Sequence, residues 1–146
     1  LPAASRTKRL AQMRDISRQF TGYDLNPREG DGEEVERQMR VLPKPLYRYA
    51  EPEAGPRRAV IEEDVIDGAV FGLFHDWDPE ILLVIETRPT AKGLRWHYGV
   101  AYVDYKPLRL EYKSTEVWSK PEKNFGSATH CYYCVIGVTT RPVELE

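Results

Sequence analysis

The sequence predicts an α+β fold, an N-terminal helix packed on a curved antiparallel sheet of five to six strands. Three observations carry this expectation. About five strand-like segments fill residues 58–140. Two of them, 69–74 and 81–85, are apolar at nearly every position, and a strand apolar on both faces must be covered on both. The connections between segments are short, which favours antiparallel neighbours because a parallel pair needs a long crossover.

The elements follow in order. Residues 5–20 read as a helix: Ser5 can cap its start, and Leu10, Met13, Ile16 and Phe20 recur at spacings of three and four to form one apolar stripe. Gly22 suits a C-terminal cap. Residues 24–32 (DLNPREGDG) carry loop chemistry, and 33–39 suit a short turn of helix. In 41–49 (VLPKPLYRY), Pro43 and Pro45 forbid a helix, so this stretch is expected as an edge strand or strap. After a loop at 51–56, strands are expected over 59–66, 69–75, 81–87, 94–105, 108–113 (extending toward Trp118) and 129–139. Along 94–105, alternation puts Leu94, Trp96, Tyr98, Val100 and Tyr102 on one face and Arg95, His97, Gly99, Ala101 and Val103 on the other. The division expected is one domain, with a helical and loop segment over 1–40 and the sheet over 41–146.

The chain of 146 residues is the size of one domain, and 41% hydrophobic with 30% charged residues is ordinary for a globular protein. A net charge of −2, from 21 basic and 23 acidic residues, provides no global field for nucleic acid. Arg6, Lys8, Arg9, Arg14 and Arg18 crowd the first helix, where they suit a solvated outer face. No apolar run approaches the ~20 residues of a membrane-spanning helix. The opening Leu1-Pro2-Ala3-Ala4-Ser5 resembles the small-residue end of a secretory signal peptide, and a cut from a longer chain would look the same. The expectation is export, to the periplasm or outside the cell, with the cytoplasm as the alternative.

Candidate chemistry is sparse. Cys131 and Cys134 have C-x-x-C spacing, but no second cysteine pair completes a zinc site, and strand alternation points the two sulfurs to opposite faces. His75, Asp76 and Asp78 form the densest polar cluster and could hold a divalent cation, although Asp76 and Asp78-Pro79 are also ordinary turn residues. No metal and no cofactor is expected. With three tryptophans, nine tyrosines and four phenylalanines the chain is rich in rings, most of them suited to the core. Trp77, in a turn, and Trp118, near a loop, are the candidates for stacking on a ligand. Gly99 beside Ala101 leaves a shallow spot that a ligand could approach. Glu86, in a very apolar strand, shares parity with Leu82 and Val84, and is expected to pair with Arg95 or His97 across the next hairpin. No nucleophile elbow, phosphate loop or dinucleotide fingerprint is present.

Three stretches together, LPKPLYRY (42–49), DGAVF (67–71) and DPEILLVIE (78–86), resemble an uncharacterised group of exported bacterial proteins with no assigned activity. The resemblance implies no catalytic residue. The function expected is a non-enzymatic binding or interaction module, with a pocket between helix and sheet that accepts a small ligand, a glycan or a protein. The alternative is a small hydrolase or isomerase using Glu86 and His97. Thiol titration under denaturing, non-reducing conditions is expected to report free sulfhydryls at both Cys131 and Cys134; a disulfide between them would mean that this segment is not a regular strand.

Overall fold

The computed structural model describes residues 1–25, 36–50, 65–103, 106–121, 137–138 and 143–145. Most of the strand expected over 59–66, most of that over 129–139, the loop at 51–56, and both cysteines lie outside them; Val65 and Ile66, which are described, are not strand.

Helix α1 spans Arg6–Ser17, shorter than the expected 5–20. Ser5 occupies the N-cap in an extended conformation without a side-chain cap bond, and Arg18 ends the helix. The buried face is Arg9, Met13 and Ser17, four residues apart, while Leu10 and Ile16 are only half-buried. The helix is thus rotated from the stripe that its apolar residues suggest, and the cause is electrostatic. Arg9 Nε lies 2.8 Å from Asp67 Oδ2, and Arg48 Nη2 lies 2.9 Å from the same oxygen. The Asp67 side chain is completely buried. A buried carboxylate must be paired, and satisfying it draws Arg9 inward. The remaining guanidinium donors reach backbone: Arg9 Nη1 donates to the carbonyls of Ala3 and Ala4, and Arg48 Nη2 to that of Arg6.

The strands are β1 (Phe20–Asp24), β2 (Arg37–Val41), β3 (Tyr47–Ala50), β4 (Asp67–His75), β5 (Asp78–Thr90), β6 (Gly93–Tyr102), β7 (Leu108–Tyr112), β8 (Thr115–Lys120), β9 (Gly137–Val138) and β10 (Val143–Glu144). They form one antiparallel sheet with the order β10-β6-β5-β4-β2-β1-β7-β8; β3 also pairs with β4, and β9 with β6. The α+β class and antiparallel sheet are as expected, but the sheet has more strands than five to six. Two of the additional strands, β1 and β2, come from residues read as helix end, loop and helical turn. Gly22 is no helix cap: it sits in β1, where an added Cβ would run into Leu73 and Met39. The stretch read as one strand from 108 toward 118 is a hairpin instead. Lys113 and Ser114 both take positive φ (49° and 62°), the backbone of a type I′ turn, which Asn-Gly normally marks. Residues 42–46 run along β4 as the expected strap, with the Leu42 and Leu46 amides donating to the Gly72 and Val70 carbonyls.

The sheet curls into a half-barrel. Five strands separate β6 from β8 in the order, yet the Tyr102 and Trp118 rings are 5.9 Å apart. Phe20 on β1 lies 5.3 Å from Tyr98 on β6 and 4.7 Å from Tyr112 on β7. The inner face is the core: Phe71 and Leu73 on β4, Ile81, Leu83 and Ile85 on β5, Leu108 and Leu110 on β7, with Met13 from the helix. The alternation expected in β6 holds, with Trp96, Tyr98, Val100 and Tyr102 buried inward. Phe20→Ala is expected to cost ~3–5 kcal/mol in chemical denaturation, the range for emptying a buried ring site. A loss below ~0.5 kcal/mol, the surface range, would contradict the packing of β1 against β6.

Candidate functional site

Register places the expected polar pair on the outer face of β4–β6. Glu86 is the Cα partner of Gly68 on one side and of His97 on the other, and Tyr49 is the partner of Gly68. Tyr49, Gly68, Glu86 and His97 therefore form one row across four strands. Because Gly68 has no side chain, the Tyr49 ring lies directly over it, where an added Cβ would collide with the ring. The Tyr49 hydroxyl then reaches over to donate to Glu86 Oε1. The other carboxylate oxygen, Oε2, accepts a 2.7 Å hydrogen bond from Arg88 Nε. The pairing differs from the one expected: the partners of Glu86 are Arg88 and Tyr49, not Arg95 or His97. Residues i and i+2 of a strand share a face, so Arg88 needs no cross-strand reach. His97 faces Glu86 in register but makes no ion pair with it, and its Nδ1 is buried without a hydrogen-bond partner among the described residues. Burial, followed by the hydrogen bond and charge of Glu86, pushes the Tyr49 phenol well above its ordinary value of 10.0. Tyr49 is thus a neutral donor to a carboxylate whose two oxygens are both held.

Gly99 lies beside His97 on this outer face, paired with Val84. Among the described residues a Cβ added there would meet Val84, at 3.8 Å, an ordinary contact, whereas Gly68 is roofed by Tyr49, and Gly72 by Phe74 and Leu46.

The β4–β5 hairpin carries the other expected residues. His75 pairs with Asp78 in register, and Asp76-Trp77 make the two-residue turn, with Asp76 at φ 59°. Trp77 is 92% exposed. His75 Nδ1 is 3.3 Å from Asp76 Oδ2, while Asp78 points to solvent. Among the described residues no group of three or more His, Cys, Asp or Glu side chains comes together as a metal site. Trp118 is half-buried on β8 and packed against the core beside Tyr102.

One cluster escaped the sequence reading. At one end of the half-barrel, Lys106 Nζ lies 3.6 Å from both Asp24 Oδ2 and Glu80 Oε1, two buried carboxylates. Buried Lys120 donates to the Lys106 carbonyl, with its ammonium 4.8 Å from the Tyr102 ring centroid. A parity signal existed: Asp24 shares a face with Phe20 and Gly22, and Lys120 with Trp118. Reading it required knowing that 20–24 is a strand. Among the described residues, two acids and two lysines come together at this end of the half-barrel.

No family model, no curated protein and no solved structure matches the chain. Among the described residues, no helix is long and apolar enough to cross a membrane.

The raised Tyr49 value has a pH consequence. A phenol whose folded value is raised contributes stability that is fully present below its unfolded value and is lost as pH rises above it. Wild-type stability is therefore expected to fall with rising alkalinity from about pH 10 more steeply than that of Tyr49→Phe, measured by urea denaturation across the alkaline range. Equal slopes would contradict the Tyr49–Glu86 bond.

Proposed function

We propose that this chain is a non-enzymatic binding or interaction module whose contact surface centres on the β4–β5 hairpin tip. The observation that carries this reading is Trp77, an indole 92% exposed on a two-residue turn. A tryptophan offers more contact area than most side chains, and Trp is over-represented among the residues that dominate binding interfaces. On a turn fixed by paired strands, it would bind at little ordering cost. The helix–sheet seam is a poorer surface, because Met13 and Ser17 fill it with no exposure.

The second reading, a small hydrolase or isomerase using Glu86 and His97, is favoured by their shared row and by the burial of Glu86. Against it stands the engagement of both Glu86 oxygens. General acid–base catalysis needs a group within reach of the proton it moves, and both Glu86 oxygens are already engaged, one by the Tyr49 hydroxyl and one by Arg88.

Immobilised panels of peptides and glycans, probed with labelled protein, distinguish the two. Trp77→Ala is expected to remove the wild-type signals while leaving the melting temperature unchanged, and Glu86→Gln to lower stability while leaving the signals intact. Signals that survive Trp77→Ala but vanish in Glu86→Gln would overturn the proposal in favour of the outer-face row.

A further inference from the structure

The charge around Trp77 narrows the partner. Resting on the reading of the hairpin tip as the contact surface, we infer that it takes a cationic partner: an arginine- or lysine-rich segment of another protein, with a guanidinium or ammonium seated on the indole face between Asp76 and Asp78. The tip carries two carboxylates in three residues, and Asp76 has a side chain 77% exposed. His75 Nδ1 lies 3.3 Å from Asp76 Oδ2, and Asp78 has no ion pair among the described residues. Arg40, opposite Phe74 on the neighbouring β2, makes no ion pair with either. Elsewhere the chain pairs its acids closely: Asp67 with two arginines, Glu86 with Arg88, Glu36 with Arg109. Neither tip acid faces a lysine or arginine among the described residues.

An indole face attracts cations through its quadrupole, and Trp is the strongest such ring. Carboxylates on both sides add attraction for the same charge and repel phosphate, which disfavours nucleic acid and anionic lipid. A delocalised guanidinium, weakly hydrated and able to stack on a ring while donating to a flanking carboxylate, suits all three groups at once. The β4–β5 ladder shifts register between Leu73 and Phe74 and then closes on the His75–Asp78 pair, so the three side chains are presented from a short, closed turn.

The test is a fluorescence titration of the whole chain with an oligoarginine peptide, run beside oligoglutamate and a neutral oligosaccharide. Trp96 is buried and Trp118 half-buried, so a perturbation of solvent-exposed emission reports Trp77. Saturable binding of oligoarginine is expected, weakening as salt is raised. Trp77→Ala should abolish it when followed by anisotropy of a labelled peptide. Asp76→Asn combined with Asp78→Asn should weaken it on the order of fivefold. Asparagine tolerates the left-handed backbone at position 76, and an unchanged melting temperature would confirm that each variant folds. Oligoarginine binding that is unaffected by these substitutions, or equal binding of oligoglutamate, would overturn the inference. Binding of the neutral oligosaccharide alone, lost in Trp77→Ala, would also overturn it but leave the interaction module standing. No Trp77-dependent binding to any probe, here or on the panels, would remove both.

Discussion

The buried carboxylate of Asp67 ties the helix to the β3–β4 part of the sheet. It sits at the first residue of β4, between Ala50 of β3 and Thr87 of β5, and two guanidiniums meet it from different elements. Arg9 brings the helix and Arg48 brings β3, and their spare donors take up the carbonyls of Ala3, Ala4 and Arg6. A twelve-residue helix is marginal alone in water. Its apolar contribution is thin, since Met13 is its one fully buried apolar side chain and Leu10 and Ile16 are half-covered. The ion cluster therefore fixes which way the helix faces. Buried ion pairs contribute little net stability against an apolar replacement, yet removing one partner leaves a charge uncompensated and costs several kcal/mol. Asp67 acts on geometry first.

From that anchor the two faces of the sheet diverge. The inner face is closed by large side chains from nearly every strand, and curling brings Tyr102 to Trp118 across five intervening strands. The outer face of β4–β6 carries small residues, Gly68, Gly72, Gly99 and Ala101, with Glu86 and His97 at one end. Rings from Tyr49 and Phe74 lie over two of the glycines, the aromatic covering that compensates for missing side chains in sheets. In the first case the covering ring also supplies the hydrogen bond that locks Glu86. Packing and site chemistry share the same residues here, and that is why the row reads as structure more than as machinery.

The legible parts of the fold were those with strong periodicity. β4, β5 and β6 are long and apolar, and the alternation in β6 picked out Trp96, Tyr98, Val100 and Tyr102, although Leu94 is half-buried and Ala101 of the other face is buried too. β1 and β2 were not legible because their alternation is diluted: FTGYD places a glycine and an aspartate on its buried face, and RQMRV has apolar side chains only at Met39 and Val41. Those inward positions are made by the neighbours they meet, as Gly22 is by Leu73 and Met39. The β7–β8 turn lacked a signature because Lys113 and Ser114 adopt conformations that sequence normally assigns to Asn and Gly. At the candidate sites, the exposure of Trp77 followed from its place between His75, Asp76 and Asp78. The partners of Glu86 did not, because they depend on a glycine in a third strand. The Asp24–Glu80–Lys106–Lys120 cluster joins positions almost a hundred residues apart, which no local pattern can connect.

Amide hydrogen exchange on Asp67→Asn tests the role of Asp67 most directly. A neutral amide there leaves Arg9 and Arg48 without their counter-charge while keeping the side-chain size. The account predicts that amides of α1 and β3 lose protection together while those of β5 and β6 retain it, as expected when one cooperative unit detaches from a sheet that stays folded. Wild-type protection throughout α1, or an equal loss in every strand, would contradict it.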